Sequence, residues 1–146
     1  MPLLLEWLQR PHVKEWWDDG DDTLEKVTAH YTSEPETTKR YLLLHGDDKK
    51  IPIGYFQYYL TSEGIGIDQF IGDERLIGKG IGTAALKSFV ELIQNKHNPT
   101  LLIIDPDLEN RRAIRCYQKA GFSYVKTIVG SNGKPLYLMH MHRRDL

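Results

Sequence analysis

Three glycines within five positions, in RLIGKGIGT (75–83), stand between a strand-like run and a helix-like run. A Walker-type phosphate loop requires G-x-x-x-x-G-K-[ST], which Gly78, Lys79 and Gly80 do not satisfy. A dinucleotide fingerprint requires G-x-G-x-x-G, and here the third glycine, Gly82, comes one position early. What remains is strand, G-K-G-I-G, helix. Glycines without a Cβ let several backbone N–H groups converge on one anion, and a helix N-terminus adds partial positive charge. That arrangement suits a pyrophosphate. The alternative is a plain strand-to-helix turn, for which one glycine would suffice.

A second stretch, NRRAIRCYQKAGF (110–122), sets Asn110 and Tyr117 seven residues apart, on nearly the same face of a helix. The Asn110 amide could hold an amide-bearing ligand or cap the helix. The Tyr117 phenol could protonate a leaving anion or fill the core. Cys116, the one cysteine of the chain, has no histidine near it in sequence and reads as a small buried residue rather than a nucleophile. His140 and His142 alternate at strand spacing without a third ligand at suitable spacing, so a solvated strand face is expected and no metal.

The elements that must position these residues follow from periodicity and punctuation. Residues 3–9 and 23–32 read as short helices, the second with Thr23 as N-cap, and HVKEWWDDGDD between them reads as an aromatic, acidic loop. Residues 41–45 and 53–60 read as an antiparallel hairpin around GDDKK. Residues 64–72 read as a strand with Ile65, Ile67 and Ile71 on one face. A helix follows the glycines, with Ile81, Ala84, Ala85, Phe89 and Ile93 at helical spacing. Then come a β-branched strand (100–105), the Asn/Tyr helix stopped by Gly121, and two strands around SNGK. The order αα–ββ–β–α–β–α–ββ is that of a mixed α/β domain of about six strands, and residues 1–146 suffice for one domain.

Bulk properties bound the function. A formal net charge of −1 argues against a general nucleic-acid binder. No apolar run approaches the roughly 20 residues that span a bilayer, and a single cysteine suits a reducing compartment. A cytoplasmic protein without membrane or nucleic-acid partners, a monomer or homodimer, is expected. The charge is unevenly spread: residues 1–38 hold nine acids against three bases, and the remainder is net basic. An acidic front and a basic back would suit a cationic and an anionic partner; the bland reading is a mixed solvated surface.

Together, the two stretches resemble the GNAT acyltransferase superfamily. Its acetyl-CoA motif is a strand, a Gln/Arg-x-x-Gly-x-Gly/Ala loop and a helix, followed by Asn…Tyr-x-Lys-x-Gly-Phe. Gly80, Gly82, Asn110, Tyr117, Lys119, Gly121 and Phe122 match, and Ile77 stands where the superfamily often has Gln or Arg. The segments EWL-x-R-x-H-x-x-EWW (6–17), PIGY (52–55), GIDQF (66–70), GKGIGT (78–83) and RAIRCYQKAGF (112–122) narrow the resemblance to the aminoglycoside 6'-N-acetyltransferases. The implied fold is a mixed, mostly antiparallel sheet of about six strands flanked by about four helices. The strand that normally precedes the first helix is expected to be absent.

The resemblance implies direct transfer of an acetyl group from acetyl-CoA to a primary amine, with no metal. Gly78, Lys79, Gly80, Ile81, Gly82 and Thr83 would form the pyrophosphate loop, and Asn110, Ala113 and Lys119 would complete the CoA site. Backbone N–H groups around Gln69, Phe70 and Ile71 would stabilise the tetrahedral oxyanion. Asp68 would orient the amine or act as base, and Tyr117 would protonate the departing thiolate. Trp16, Trp17, Asp18 and Asp105 would join Asp68 in receiving an aminoglycoside-like polycation, by stacking and charge attraction. The bland alternative sets Trp17 in the core and the acidic run in a solvated loop. Two further readings are an acetyltransferase for another amine, such as a siderophore precursor or a protein amine, and a non-catalytic acyl-CoA-binding module.

Overall fold

The computed structural model describes residues 2–17, 23–32, 38–45, 51–72 and 80–143. The elements are helices α1 (Pro2–Gln9), α2 (Pro11–Lys14) and α3 (Leu24–Thr32), then strands β1 (Thr38–His45), β2 (Ile51–Leu60) and β3 (Ile65–Ile71). Helix α4 (Ile81–His97), strand β4 (Leu101–Ile104), helix α5 (Arg111–Ala120) and strands β5 (Ser123–Val129) and β6 (Pro135–His142) follow. The strands hydrogen-bond in the order β1-β2-β3-β4-β6-β5. β3 and β4 are parallel, and β6 is antiparallel to both β4 and β5. This is the mixed, mostly antiparallel six-stranded fold expected, with one helix more. HVK, expected as loop, joins Pro11 in the turn α2 because Pro at the helix start presets φ and gives up no needed N–H. No described helix is long and apolar enough to cross a membrane.

The chain divides into two compact units, Met1–Tyr58 with Gln69–Ile77, and Tyr59–Asp68 with Gly78–Leu146, and β2 and β3 run through both. In the first unit, α1 buries Leu4, Trp7 and Leu8, the i, i+3, i+4 stripe of an amphipathic helix. They join Val13, Val27, Tyr31, Tyr55 and Phe70 in one core cluster. Thr23 caps α3 as expected, its Oγ1 accepting the Lys26 N–H at 3.2 Å. The EWL-x-R-x-H segment fastens the end of β3. Glu6 and Arg10 pair at 2.8 Å, Arg10 Nη1 donates to the Gly72 carbonyl at 2.6 Å, and His12 Nε2 meets the Ile71 carbonyl at 3.0 Å. Gly72 has no substitute there, because a Cβ would fall inside the Trp7 indole.

In the second unit, the buried stripe of α4 is Leu86, Phe89, Val90 and Ile93. Of the expected set, Phe89 and Ile93 are buried, whereas Ala84 is exposed and Ala85 half-buried. Leu86, one turn before Phe89, and Val90 complete the stripe and fix its phase. Asn98 ends α4 in the left-handed conformation (φ 45°), its N–H on the Gln94 carbonyl, and Gly121 (φ 113°) ends α5 in the same way.

The parallel pair sorts its side chains by face. Ile65 pairs with Leu102 and Gly66 with Ile103, and strand alternation then groups Ile65, Ile67, Leu102 and Ile104, all buried, on one face. Met139 and Met141, opposite Ile104 and Leu102 on β6, extend that face. Gly66, Asp68, Ile103 and Asp105 share the other. Ile71, expected beside Ile65 and Ile67, is half-buried. The β5–β6 hairpin closes through the expected turn, with Gly130 N–H on the Lys134 carbonyl, Lys134 N–H on Asn132 Oδ1, and Gly133 at φ 80°.

Candidate active site

The start of α4 lies where the glycine stretch was expected to bind an anion. Gly78 and Lys79 lie outside the described residues. Gly80 is the N-cap, in the left-handed conformation (φ 79°, ψ −2°), which an L side chain adopts only under strain. The first intrahelical bond of α4 runs from Ala84 N–H to the Gly80 carbonyl at 3.1 Å. The N–H groups of Ile81, Gly82 and Thr83 therefore form the unsatisfied first turn of the helix. At Gly82 the protein itself leaves room: an added Cβ would meet only Cys116 Sγ, at 3.7 Å. The bare backbone is not a demand of protein packing there, and it leaves the first turn open to close approach.

A side-chain hydrogen bond joins the second stretch to the first. Thr83 Oγ1 donates to Cys116 Sγ at 3.4 Å, joining the start of α4 to the middle of α5. The Cys116 thiol is half-buried, and burial raises its pKa, with Thr83 and the Lys119 charge opposing. A weakly ionised, hydrogen-bonded thiol suits the structural reading of Cys116. Asn110 caps α5, its Oδ1 accepting the Ala113 N–H at 3.3 Å. The capping alternative is thus what the oxygen does, and the Ala113 N–H is committed to it. The Asn110 amide nitrogen has no hydrogen-bond partner among the described residues. Tyr117 is buried, its ring edge-on to Phe122 at 6.5 Å between centroids, so it does belong to the core. Lys119 is exposed.

Two carboxylates belong to the parallel strands, Asp68 midway along β3 and Asp105 directly after β4. Carrying the β3/β4 register two residues past its last pair sets Asp68 opposite Asp105 on the face that Gly66 shares. Asp105 stands at the carboxyl end of β4, where ligands of parallel strands gather. Asp105 is half-buried and its pKa is raised, first by desolvation, with its own backbone hydrogen bond opposing. Tyr59, which sequence reading passed over, lays its ring against Gly66, where an added Cβ would fall 2.6 Å from the phenol oxygen and closer still to ring atoms. Its phenol pKa is raised by burial first, then by the charges of Asp68 and Asp105. The signal available in the sequence was Gly66 in the interior of a strand, since such a glycine often marks the close approach of another group.

Among the first unit's expected residues, Trp16 is 39% exposed, whereas Trp17 packs edge-on against Phe70 (5.1 Å) and Tyr55 (5.9 Å). The Trp17 indole donates to the Tyr31 hydroxyl at 3.0 Å. The bland alternative therefore describes Trp17, which lies against the core cluster. Phe70 belongs to that core, and the Ile71 carbonyl is the one held by His12. Gln69 lies on β3 beside them, half-buried, and Asp18 lies outside the described residues. A polar network also missed in the sequence lies nearby. Arg40 Nη1 donates to the Tyr55 hydroxyl and to Gln57 Oε1, each at 2.7 Å, and its guanidinium stands 5.2 Å from the Tyr31 ring centroid. No group of three or more His, Cys, Asp or Glu side chains able to hold a metal ion occurs among the described residues.

Comparison with known proteins adds to this geometry. A family model described as an acetyltransferase (GNAT) domain matches residues 1–129. An aminoglycoside N(6')-acetyltransferase type 1 of Klebsiella pneumoniae is 34% identical, over 95% of this chain and 77% of that protein. A kanamycin resistance protein of Rhizobium radiobacter is 40% identical over 54% of this chain and 74% of that protein. The solved structure of AAC(6')-Ib with coenzyme A and kanamycin superposes with a TM-score of 0.85 at 35% identity, covering 99% of this chain and 90% of that one. The same enzyme with paromomycin and acetyl-CoA gives a TM-score of 0.86 at 36% identity, covering 99% and 88%.

Proposed function

The chain belongs to the GNAT acetyltransferase family, and we propose that it transfers the acetyl group of acetyl-CoA to a primary amine of an aminoglycoside. The observation that carries the acceptor half is that Asp68 on β3 and Asp105 just after β4 lie on one face of the parallel pair. A polycationic sugar offers ammonium groups to such a pair. An ammonium brought beside Asp105 also offsets the desolvation that raises its pKa. The donor half rests on the α4 first turn, where Gly80, Ile81, Gly82 and Thr83 present backbone N–H groups to the CoA pyrophosphate, with Gly78 and Lys79 preceding them. The Asn110 amide nitrogen is left to donate to an amide-bearing ligand such as the pantetheine arm. Ala113 and Lys119 complete the α5 side.

An ammonium has no lone pair with which to attack, so the amine must first lose a proton. A carboxylate is a weak base for it; Asp68 therefore acts chiefly by holding the amine while water carries the proton away. Attack on the thioester builds an oxyanion, for which backbone N–H groups around Gln69, Phe70 and Ile71 are the assigned donors. Collapse of the intermediate expels the CoA thiolate, and Tyr117 gives it a proton. Trp16, Trp17 and Asp18 are assigned to acceptor binding. We read residues 1–146 as a single acetyltransferase domain, a reading that the family match running through both compact units supports, and as a cytoplasmic enzyme.

The test is release of CoA thiol from acetyl-CoA in the presence of kanamycin, a short-chain hydroxylysine-type amine and a lysine peptide. Release with kanamycin at the highest kcat/KM is expected. Preference for either of the other amines would move the acceptor to that class. Tight CoA binding with no release from any amine would favour the acyl-CoA-binding module.

A further inference from the structure

The segments EWL-x-R-x-H and PIGY carry no step of the transfer, yet both close on the carboxyl end of β3. We propose that His12 and Arg10 are positioning residues for the acetyl transfer: they hold the carbonyls of Ile71 and Gly72 and so aim the Ile71 N–H at the oxyanion that forms on the thioester. The inference rests on the assignment of that oxyanion to backbone donors around Gln69, Phe70 and Ile71 given above.

Three successive peptide planes are fixed there. A Cβ added at Gly54 would stand 2.8 Å from the Phe70 carbonyl oxygen, so that carbonyl points toward β2. The Ile71 N–H lies trans to it across a planar peptide and points to the opposite edge of β3. In the next plane the Gly72 N–H donates to the Ile53 carbonyl of β2 at 2.7 Å, which turns the Ile71 carbonyl to that same opposite edge. There His12 Nε2 meets it at 3.0 Å. A carbonyl only accepts, so Nε2 carries the proton, and Nδ1 is a bare nitrogen, buried and with no hydrogen-bond partner among the described residues. The plane is thus pinned at both ends. In the third plane Arg10 Nη1 donates to the Gly72 carbonyl at 2.6 Å, while Nη2 pairs with Glu6 at 2.8 Å. The Ile71 Cα joins the first two planes, so holding the second limits the swing of the N–H in the first. A donor fixed beforehand needs no reorientation when the oxyanion forms, and one free to swing loses part of its effect.

Steady-state thiol release from acetyl-CoA tests this, with whichever of kanamycin, the hydroxylysine-type amine and the lysine peptide gives the highest kcat/KM. Wild type, His12→Phe, His12→Gln and Arg10→Met are compared, with kcat referred to the folded fraction counted by CoA titration. His12→Phe keeps a ring in place and removes the donor. Its kcat should fall about tenfold or more, part of the roughly 100- to 1,000-fold effect of deleting an oxyanion donor outright. The KM for each substrate should stay within about twofold, since the contact acts on the transition state. His12→Gln returns an N–H near the place of Nε2 and should recover most of kcat. Arg10→Met, at a half-exposed position, should lower kcat in the same way, and it carries the test if His12→Phe does not fold. An unchanged kcat in the folded variants that lack these donors, whatever their Tm or KM, overturns the proposal, as does a His12→Gln no faster than His12→Phe. Wild-type protein that releases no thiol with any of the three amines overturns the acyl-transfer reading and this inference with it. An active wild type with unaltered kcat in His12→Phe and Arg10→Met removes this inference alone.

Discussion

Asn110 performs two separable jobs, and substitution should divide them. Its Oδ1 caps α5 through a 3.3 Å bond to the Ala113 N–H, and its amide nitrogen is unpartnered among the described residues. An N-cap is worth about 0.5–2 kcal/mol, and a bond this long belongs in the lower half, about 0.5–1 kcal/mol. In a chain of this size 1 kcal/mol moves Tm by about 3–4 °C, so Asn110→Ala should lower it by about 2–4 °C. Serine at 110 retains a capping oxygen and lacks the amide donor, so Asn110→Ser should melt within about 1 °C of wild type. If the nitrogen donates to CoA, both variants lose one neutral hydrogen bond, about 0.5–1.5 kcal/mol, or about 2- to 12-fold in affinity. Calorimetric melting and titration with CoA read the two quantities independently. Wild-type CoA affinity in Asn110→Ser would reduce the residue to a cap. An unchanged Tm in Asn110→Ala would mean that the 3.3 Å contact contributes nothing to stability.

Tyr117→Phe keeps the buried ring against Phe122; kcat for thiol release should fall about 100-fold or more while Tm stays within about 2 °C, and an unchanged kcat would return Tyr117 to the core alone. Asp105 has a folded pKa above its unfolded value, so its contribution to stability is fully present below the ordinary 3.8 and is lost as pH rises through the raised value. Asp105→Asn should therefore melt higher than wild type near pH 7, with the gain vanishing toward pH 3, and should bind kanamycin more weakly. Cys116, with its raised thiol pKa and its bond from Thr83, should react with iodoacetamide about tenfold or more slowly than a free thiol at pH 8, and at the free rate after denaturation; mass spectrometry follows both.

Much of the fold was legible because its signals are local. Helix ends were announced by Thr23 and Gly121, the α4 stripe by the spacing of Phe89 and Ile93, and the last hairpin by Asn132-Gly133. The misses share a cause. Pro11 made a helical turn of a segment that its acidic neighbours marked as loop. Trp17 looked like a ligand wall, yet its partners Tyr55 and Phe70 are distant in sequence. The donor motifs were legible as spacing on single helices. Tyr59 was not, because its ring meets a glycine on another strand, a contact that no local pattern encodes.

The parallel pairing of β3 with β4 also bears on how the enzyme comes into being. The β5–β6 hairpin can form from neighbouring residues as soon as its turn closes, but Asp68 and Asp105 meet only after the whole of α4 has folded back between them. A chain caught partway would hold its last hairpin and its helices and still lack the two carboxylates that receive the amine. The carboxylate face therefore depends on a closed crossover, and local unfolding of α4 would disperse it.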